Sequence, residues 1–105
     1  MKVLVTGASG FIGGEVVQCL LAQKNYEIVA TGRSDYYHFF REKGVEYLQW
    51  EMSSRVNEIW CDVCIHCAGL ADDRSTEQEI KRNNVDATAN LLKSVKGCKQ
   101  FIFIS

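Results

Sequence analysis

The stretch Val3-Leu-Val-Thr-Gly-Ala-Ser-Gly-Phe-Ile-Gly13 constrains this chain more than any other. Lys2 to Thr6 is β-branched and apolar without alternation, the pattern of a strand buried on both faces. Phe11 to Gln23 reads as a helix, with Ile12, Val16, Leu20 and Gln23 on one face and Val17 and Leu21 beside it. Only Gly7 to Gly10 lie between them, so the chain must turn from strand to helix within a few residues. A helix N-terminus presents unpaired N–H groups and about half a positive charge. A pyrophosphate docks there if no side chain intervenes. Gly7 allows the tight turn, Gly10 the approach of phosphate to backbone, and Gly13 the close packing of helix on strand. The spacing Gly-x-x-Gly-x-x-Gly is one residue longer than Gly-x-Gly-x-x-Gly. Gly13-Gly14-Glu15 excludes the phosphate loop of nucleoside triphosphatases, which requires Gly-Lys-Ser/Thr.

Further along, Tyr26–Thr31 reads as a second strand, and Ser34 or Asp35 as the cap of a helix running to about Lys43, stopped by Gly44. Val45–Trp50 reads as a third strand, Ser53–Ile59 as a short helix or turn, and Asp62–Cys67 as a fourth strand. Glu77–Val95 has helical spacing and is ended by Gly97; Gln100–Ile104 is a fifth strand. Alternating strands and helices imply right-handed crossovers and an α/β fold, a doubly wound parallel sheet. The expected strand order is 3-2-1-4-5, with a ligand at the switch point beside the first strand.

A length of 105 residues fits one domain. The net charge of −1 gives no case for nucleic acid or an anionic membrane. No apolar run approaches the ~20 residues that span a bilayer, and glycine breaks the start too early for a signal peptide. Five cysteines without an extracellular framework read as reduced thiols, so a cytoplasmic location is expected. Cys61, Cys64 and Cys67 have the spacing of part of an iron–sulfur run, without its fourth cysteine and proline. If all three lie on a strand, Cys64 points away from the other two, and no metal site is expected.

The residue that ends the second strand normally chooses between dinucleotide cofactors, a carboxylate there binding the ribose hydroxyls. Here Gly32 takes that place, followed by Arg33 and Ser34. A guanidinium matches phosphate geometry with paired donors and Ser34 adds a hydroxyl, so NADP is favoured over NAD. A solvated arginine beside a turn is the plainer alternative.

Thr6-Gly-Ala-Ser-Gly-Phe-Ile-Gly13 resembles the cofactor loop of extended short-chain dehydrogenases/reductases, the epimerase/dehydratase group. Asp62-Val-Cys-Ile-His-Cys-Ala-Gly69, Asn84-Val-Asp-Ala-Thr88 with Asn90-Leu-Leu, and Gln100-Phe-Ile-Phe-Ile-Ser105 follow in that family's order. The resemblance implies a Rossmann fold and assigns cofactor contacts to Gly7, Ser9, Gly10, Phe11, Ile12 and Gly13, with Arg33 and Ser34 as above. It places Glu51 and Met52 at the adenine edge, Met52 through its backbone N–H and a soft apolar wall, and Cys67, Ala68 and Gly69 along the ribose and nicotinamide. It also assigns Asn84 to support of the active-site region, where Asn84 and Thr88 can equally be polar packing between helix and sheet. Ala87 replaces the family's usual glycine. His66 is expected to be structural, packing or bonding backbone behind the site.

The family's catalytic Tyr-x-x-x-Lys follows the fifth strand. No substitute lies upstream: four residues after Tyr26, Tyr36, Tyr37 and Tyr47 come Ala30, Phe40, Arg41 and Glu51. No catalytic residue is therefore assigned, and Ser105 falls at or just before the family's serine. Residues 1–105 are expected to be an incomplete dinucleotide-binding domain without its substrate lobe. Its parent would be an epimerase, dehydratase or reductase acting on a nucleotide sugar or related carbonyl or alcohol. The alternative is a non-catalytic NADP-binding module or regulator. The exposed edge of the fifth strand is expected to invite self-association.

Overall fold

The computed structural model describes residues 1–67 and 76–104. Five parallel strands form the main sheet: β1 (Lys2–Thr6), β2 (Glu27–Gly32), β3 (Glu46–Gln49), β5 (Val63–His66) and β7 (Gln100–Phe103). Their order, β3-β2-β1-β5-β7, is the expected doubly wound one. β1 is central, pairing Val3 with Ile28 on one side and with Val63 on the other. Its alternation divides the core. Val3 and Val5 pack with Val17, Phe40 and Tyr47 under α1 (Phe11–Gln23) and α2 (Tyr37–Glu42). Leu4 packs on the opposite face with Val29, Trp50, Cys64 and Leu91, under α4 (Ala87–Ser94).

At the end of the sheet where β1 begins, Asp62 staples three strands. Its carboxylate accepts the Lys2 N–H at 2.8 Å, its own N–H donates to the Lys2 carbonyl at 2.8 Å, and its carbonyl accepts the Lys99 N–H at 2.8 Å. Asp62 therefore precedes the strand that it was expected to begin.

Several local readings change. The buried line of α1 runs through Gly13 and Val17, with Val16, Leu20 and Leu21 packed beside it. Ile12 is 52% exposed, because the close approach at Gly13 rotates its neighbour outward. Tyr36, not Ser34 or Asp35, is the N-cap of α2; the Asp35 carboxylate instead accepts the Tyr37 N–H at 3.3 Å. Of the two readings for Ser53–Ile59 the turn is the one found, closing at residue 54, and residues 55–58 lead without regular structure into β4 (Ile59–Trp60). β4 pairs in parallel with β6 (Val95–Lys96), a two-stranded sheet too short for any periodic signal. The helix preceding β6 thus ends at Ser94, and Gly97, at φ +69°, turns the chain after β6 instead. The helical run starts at α3 (Glu77–Ile80), capped by Thr76, whose hydroxyl accepts the Glu79 N–H at 3.1 Å. It widens to a π-helix over Lys81–Asp86 before α4. Among the described residues no helix is long and apolar enough to cross a membrane.

Leu91 is fully buried whereas Leu92, beside it, is 56% exposed. Leu91→Ala should lower the unfolding free energy by about 2–5 kcal/mol and Leu92→Ala by under about 0.5 kcal/mol. Urea denaturation of the two variants measures the contrast.

Candidate functional site

The site is built where β1, β2 and β5 end. Gly7 leaves β1 at φ +65°, a conformation that favours glycine. Its carbonyl accepts the Gly10 N–H at 3.0 Å, closing the turn, and the Ala8 N–H donates to the Thr31 carbonyl at 3.0 Å, fastening the turn to β2. The Gly14 N–H then donates to the Gly10 carbonyl at 2.9 Å, the first turn of α1. A Cβ on Gly13 would lie 2.0 Å from the Gly7 carbonyl oxygen, and one on Gly10 would lie 3.3 Å from it. Gly10 caps α1 without a side chain, and the first turn carries no acidic residue. The positive end of the helix is thus uncompensated by local side chains. Ser9 is exposed at the rim, with Phe11 87% and Ile12 52% exposed beside it.

The turn after β2 lies next to this loop. Gly32 is buried, and Arg33 and Ser34 are exposed. A Cβ on Gly32 would meet the Tyr47 hydroxyl oxygen at 2.7 Å and Ser9 Oγ at 2.9 Å. Sequence reasoning missed Tyr47 at this site; its place on the β3 face shared with Gln49 was the available signal.

Beyond β3, Glu51 is half-buried and its carboxylate accepts from Ser53 Oγ at 2.8 Å. Arg82 Nε donates to the same Ser53 Oγ at 3.3 Å. Met52 is only 7% exposed and packs in the core with Trp50 and Leu91, so little of its side chain is left to serve as a wall. Its carbonyl accepts from Asn90 Nδ2 at 2.6 Å.

His66, at the end of β5, is 1% exposed and bridges two threonines. Nδ1 is 2.6 Å from Thr6 Oγ1 and Nε2 is 3.0 Å from Thr88 Oγ1. Thr6 Oγ1 also accepts the Cys67 N–H at 3.1 Å. His66 is therefore held by side chains rather than by backbone, and it joins β1, β5 and α4. A neutral imidazole donates to one hydroxyl and accepts from the other. Burial lowers its pKa from 6.5, keeping it neutral. Asn84 is half-buried in the π-helical turn. Cys67 packs partly buried against the α1 side of the sheet, and Ala68 and Gly69 lie outside the described residues.

The cysteine alternation holds only within the strand. Cys61 precedes β5 and shares a core cluster with Cys64, so Cys64 does not point away from it; Cys67 lies on the other face. Burial, with Cys98 adjacent, pushes the Cys61 thiol up to about 12, and burial also raises the pKa of Cys64. Among the described residues no group of three or more His, Cys, Asp or Glu side chains is arranged to hold a metal.

Gly13→Ala must displace the Gly7 carbonyl and should cost about 1–3 kcal/mol. Gly14→Ala, whose Cβ would sit an ordinary 3.5 Å from the Ala8 carbonyl, should be neutral or stabilising. Thermal denaturation distinguishes the two. Because burial lowers the folded-state pKa of His66, the unfolded chain binds more protons below about pH 6.5. The His66 contribution to stability is therefore complete above that pH, falls as pH drops through it, and levels off below the folded-state value. Urea midpoints measured from about pH 7.5 to 5 should show this loss, and His66→Gln should flatten it.

Residues 3–105 match the family model of the NAD dependent epimerase/dehydratase family. The UDP-glucuronic acid 4-epimerase of Bacillus cereus, solved in complex with NAD, is 25% identical with a TM-score of 0.78, over 100% of this chain and 40% of that one. Gre2 of Candida albicans, solved with NADPH, is 25% identical with a TM-score of 0.76, over 98% of this chain and 36% of that one. The uncharacterized protein 052L of frog virus 3 (isolate Goorha) is 30% identical over 111 residues, 88% of this chain and 28% of that protein. This chain thus spans less than half the length of each. With nearly its whole length matched and its strand order that of a Rossmann-like sheet, the chain belongs to the NAD dependent epimerase/dehydratase family.

Proposed function

We propose that this chain is the cofactor-holding part of an extended short-chain dehydrogenase/reductase and that it prefers NADP to NAD. The observation that carries this is the cradle at Gly13, where a Cβ would overlap the Gly7 carbonyl at 2.0 Å. That approach brings the positive end of α1 to the loop, where Ser9 and Gly10 are exposed and a pyrophosphate would be stabilised. Phe11 and Ile12, apolar and exposed at the rim, are the residues a bound dinucleotide would cover. The exposed Arg33 and Ser34 would take a 2′-phosphate, and Gly32 offers no carboxylate for the ribose diol. Glu51 and the backbone of Met52 would meet adenine, and Cys67, Ala68, Gly69 and Asn84 would border the nicotinamide end. A bound nicotinamide supplies a hydride donor or acceptor. The residues of this chain would bind and orient it, while His66, neutral and buried, holds the strand ends rather than exchanging protons with a substrate.

For the whole protein we propose an epimerase, dehydratase or reductase acting on a nucleotide sugar or a related carbonyl or alcohol. The UDP-glucuronic acid 4-epimerase among its structural neighbours supports the nucleotide-sugar reading. The outer edge of β7, where Phe103 is 58% exposed, is the surface proposed for self-association.

Calorimetric titration with NADPH and NADH tests the cofactor reading. NADPH should bind more tightly, and Arg33→Ala should weaken NADPH about tenfold or more while changing NADH by under about twofold. Equal losses would remove the NADP preference.

A further inference from the structure

Three donors, two on β3 and one just after it, hold the chain as it leaves β2. The Trp50 N–H meets the Gly32 carbonyl at 2.8 Å, continuing the β2–β3 ladder. The next two bonds come from side chains. Gln49 Nε2 donates to the Arg33 carbonyl at 3.0 Å, and the Tyr47 hydroxyl donates to the Ser34 carbonyl. Strand periodicity places Tyr47 and Gln49 on the same face of β3, and the turn passes over that face. Three successive carbonyls are thereby tied to β3 and Trp50, while the side chains of Arg33 and Ser34 remain exposed.

Tyr47 is itself well anchored. It is 7% exposed, and its ring stacks on Phe40 with centroids 5.1 Å apart and planes 4° from parallel. Burial first, then Asp35 and Tyr36, raise its pKa, so the phenol stays a donor. The same hydroxyl, with Ser9 Oγ, fills the space that a side chain at Gly32 would need.

We propose that Tyr47 and Gln49 are positioning residues for the 2′-phosphate of NADP: they fix the Gly32–Ser34 turn so that Arg33 and Ser34 are preorganised to receive it. This rests on the NADP reading of Arg33 above. A turn ordered before binding spares the ligand the cost of ordering it. NADH, with no 2′-phosphate, gains nothing from that order. Tyr47 has a second role in the same specificity, since with Ser9 it closes the position from which a carboxylate would hold the ribose diol of NAD.

The test is calorimetry with NADPH and NADH on the protein and its Tyr47→Phe, Gln49→Met and doubly substituted variants, each also made in an Arg33→Ala background. Phenylalanine keeps the stack on Phe40 and removes only the hydroxyl. The double variant should lose about tenfold in NADPH affinity with NADH changed by under about twofold, and the loss should vanish in the Arg33→Ala background. Unchanged NADPH binding, equal losses for both cofactors, or a loss that persists without Arg33 would overturn the proposal. Circular dichroism checks folding. If Tyr47→Phe does not fold, Gln49→Met, at an exposed position, decides alone: a smaller NADPH-selective loss supports the proposal and none overturns it. An unsubstituted protein that binds NADPH no more tightly than NADH defeats the NADP reading, and this proposal with it, before any variant is compared.

Discussion

The contact between the start of α1 and the end of β1 sets the rest of the structure. With a hypothetical Gly13 Cβ only 2.0 Å from the Gly7 carbonyl oxygen, the helix can sit where it does only because that atom is missing. The closeness brings the first turn of α1 to the edge where β2 and β5 also end. Once there, the loop is secured from both sides: Ala8 bonds the Thr31 carbonyl, and the hydroxyl of Thr6 receives the Cys67 N–H. A helix N-terminus capped by glycine, without a side-chain cap, is thus brought to that edge by how tightly one helix lies on one strand.

The two layers on the sheet are held differently. On the α1 and α2 side the contacts are mainly apolar and aromatic, with Val17 and the Phe40–Tyr47 stack at their centre. On the other side α4 adds a row of polar fastenings to its buried Leu91. Thr88 reaches His66, Asn90 reaches the Met52 carbonyl, and Ser94 accepts the Asn57 N–H at 2.9 Å while donating to the Asn90 carbonyl. Each such bond contributes about 1 kcal/mol net, less than the burial of one leucine at about 1.5–3 kcal/mol. Their value is directional. Leu91 brings the helix onto the sheet, and the polar residues fix it against the end of β5 and the segment after β3.

Much of this was legible in the sequence because the signals are local. The glycine loop, the five principal strands and their order follow from β-branched runs, glycine stops and the handedness of crossovers. The burial of His66 follows from the resemblance, but its partners, the hydroxyls of Thr6 and Thr88, come from separate elements and no local signal names them. Helix-face arithmetic misplaced Ile12, since the contact line is set by a glycine, which carries no hydrophobic signal. The β4–β6 pair was invisible because two-residue strands have no period, and it takes Val95 from the end of the helix into β6. The cysteine geometry failed at Cys61 because alternation was extended past the strand's first residue. Tyr47 was read only as a strand residue and as a tyrosine with no lysine after it. Strand alternation puts it on the face of Gln49, but the carbonyl that its hydroxyl meets lies across a loop, and spacing does not name it.

The crowding at Gly32 also bears on how such a chain can change. A side chain at position 32 has no room while Tyr47 keeps its hydroxyl and Ser9 stands opposite. Residues from the glycine loop, the end of β2 and β3 therefore form one mutational unit, though they are far apart in the sequence. Acquiring an acid at position 32 requires Tyr47 to lose its hydroxyl or move first, and that step also releases the Ser34 carbonyl. The identity of residue 32 and the order of the turn are thus coupled through one hydroxyl.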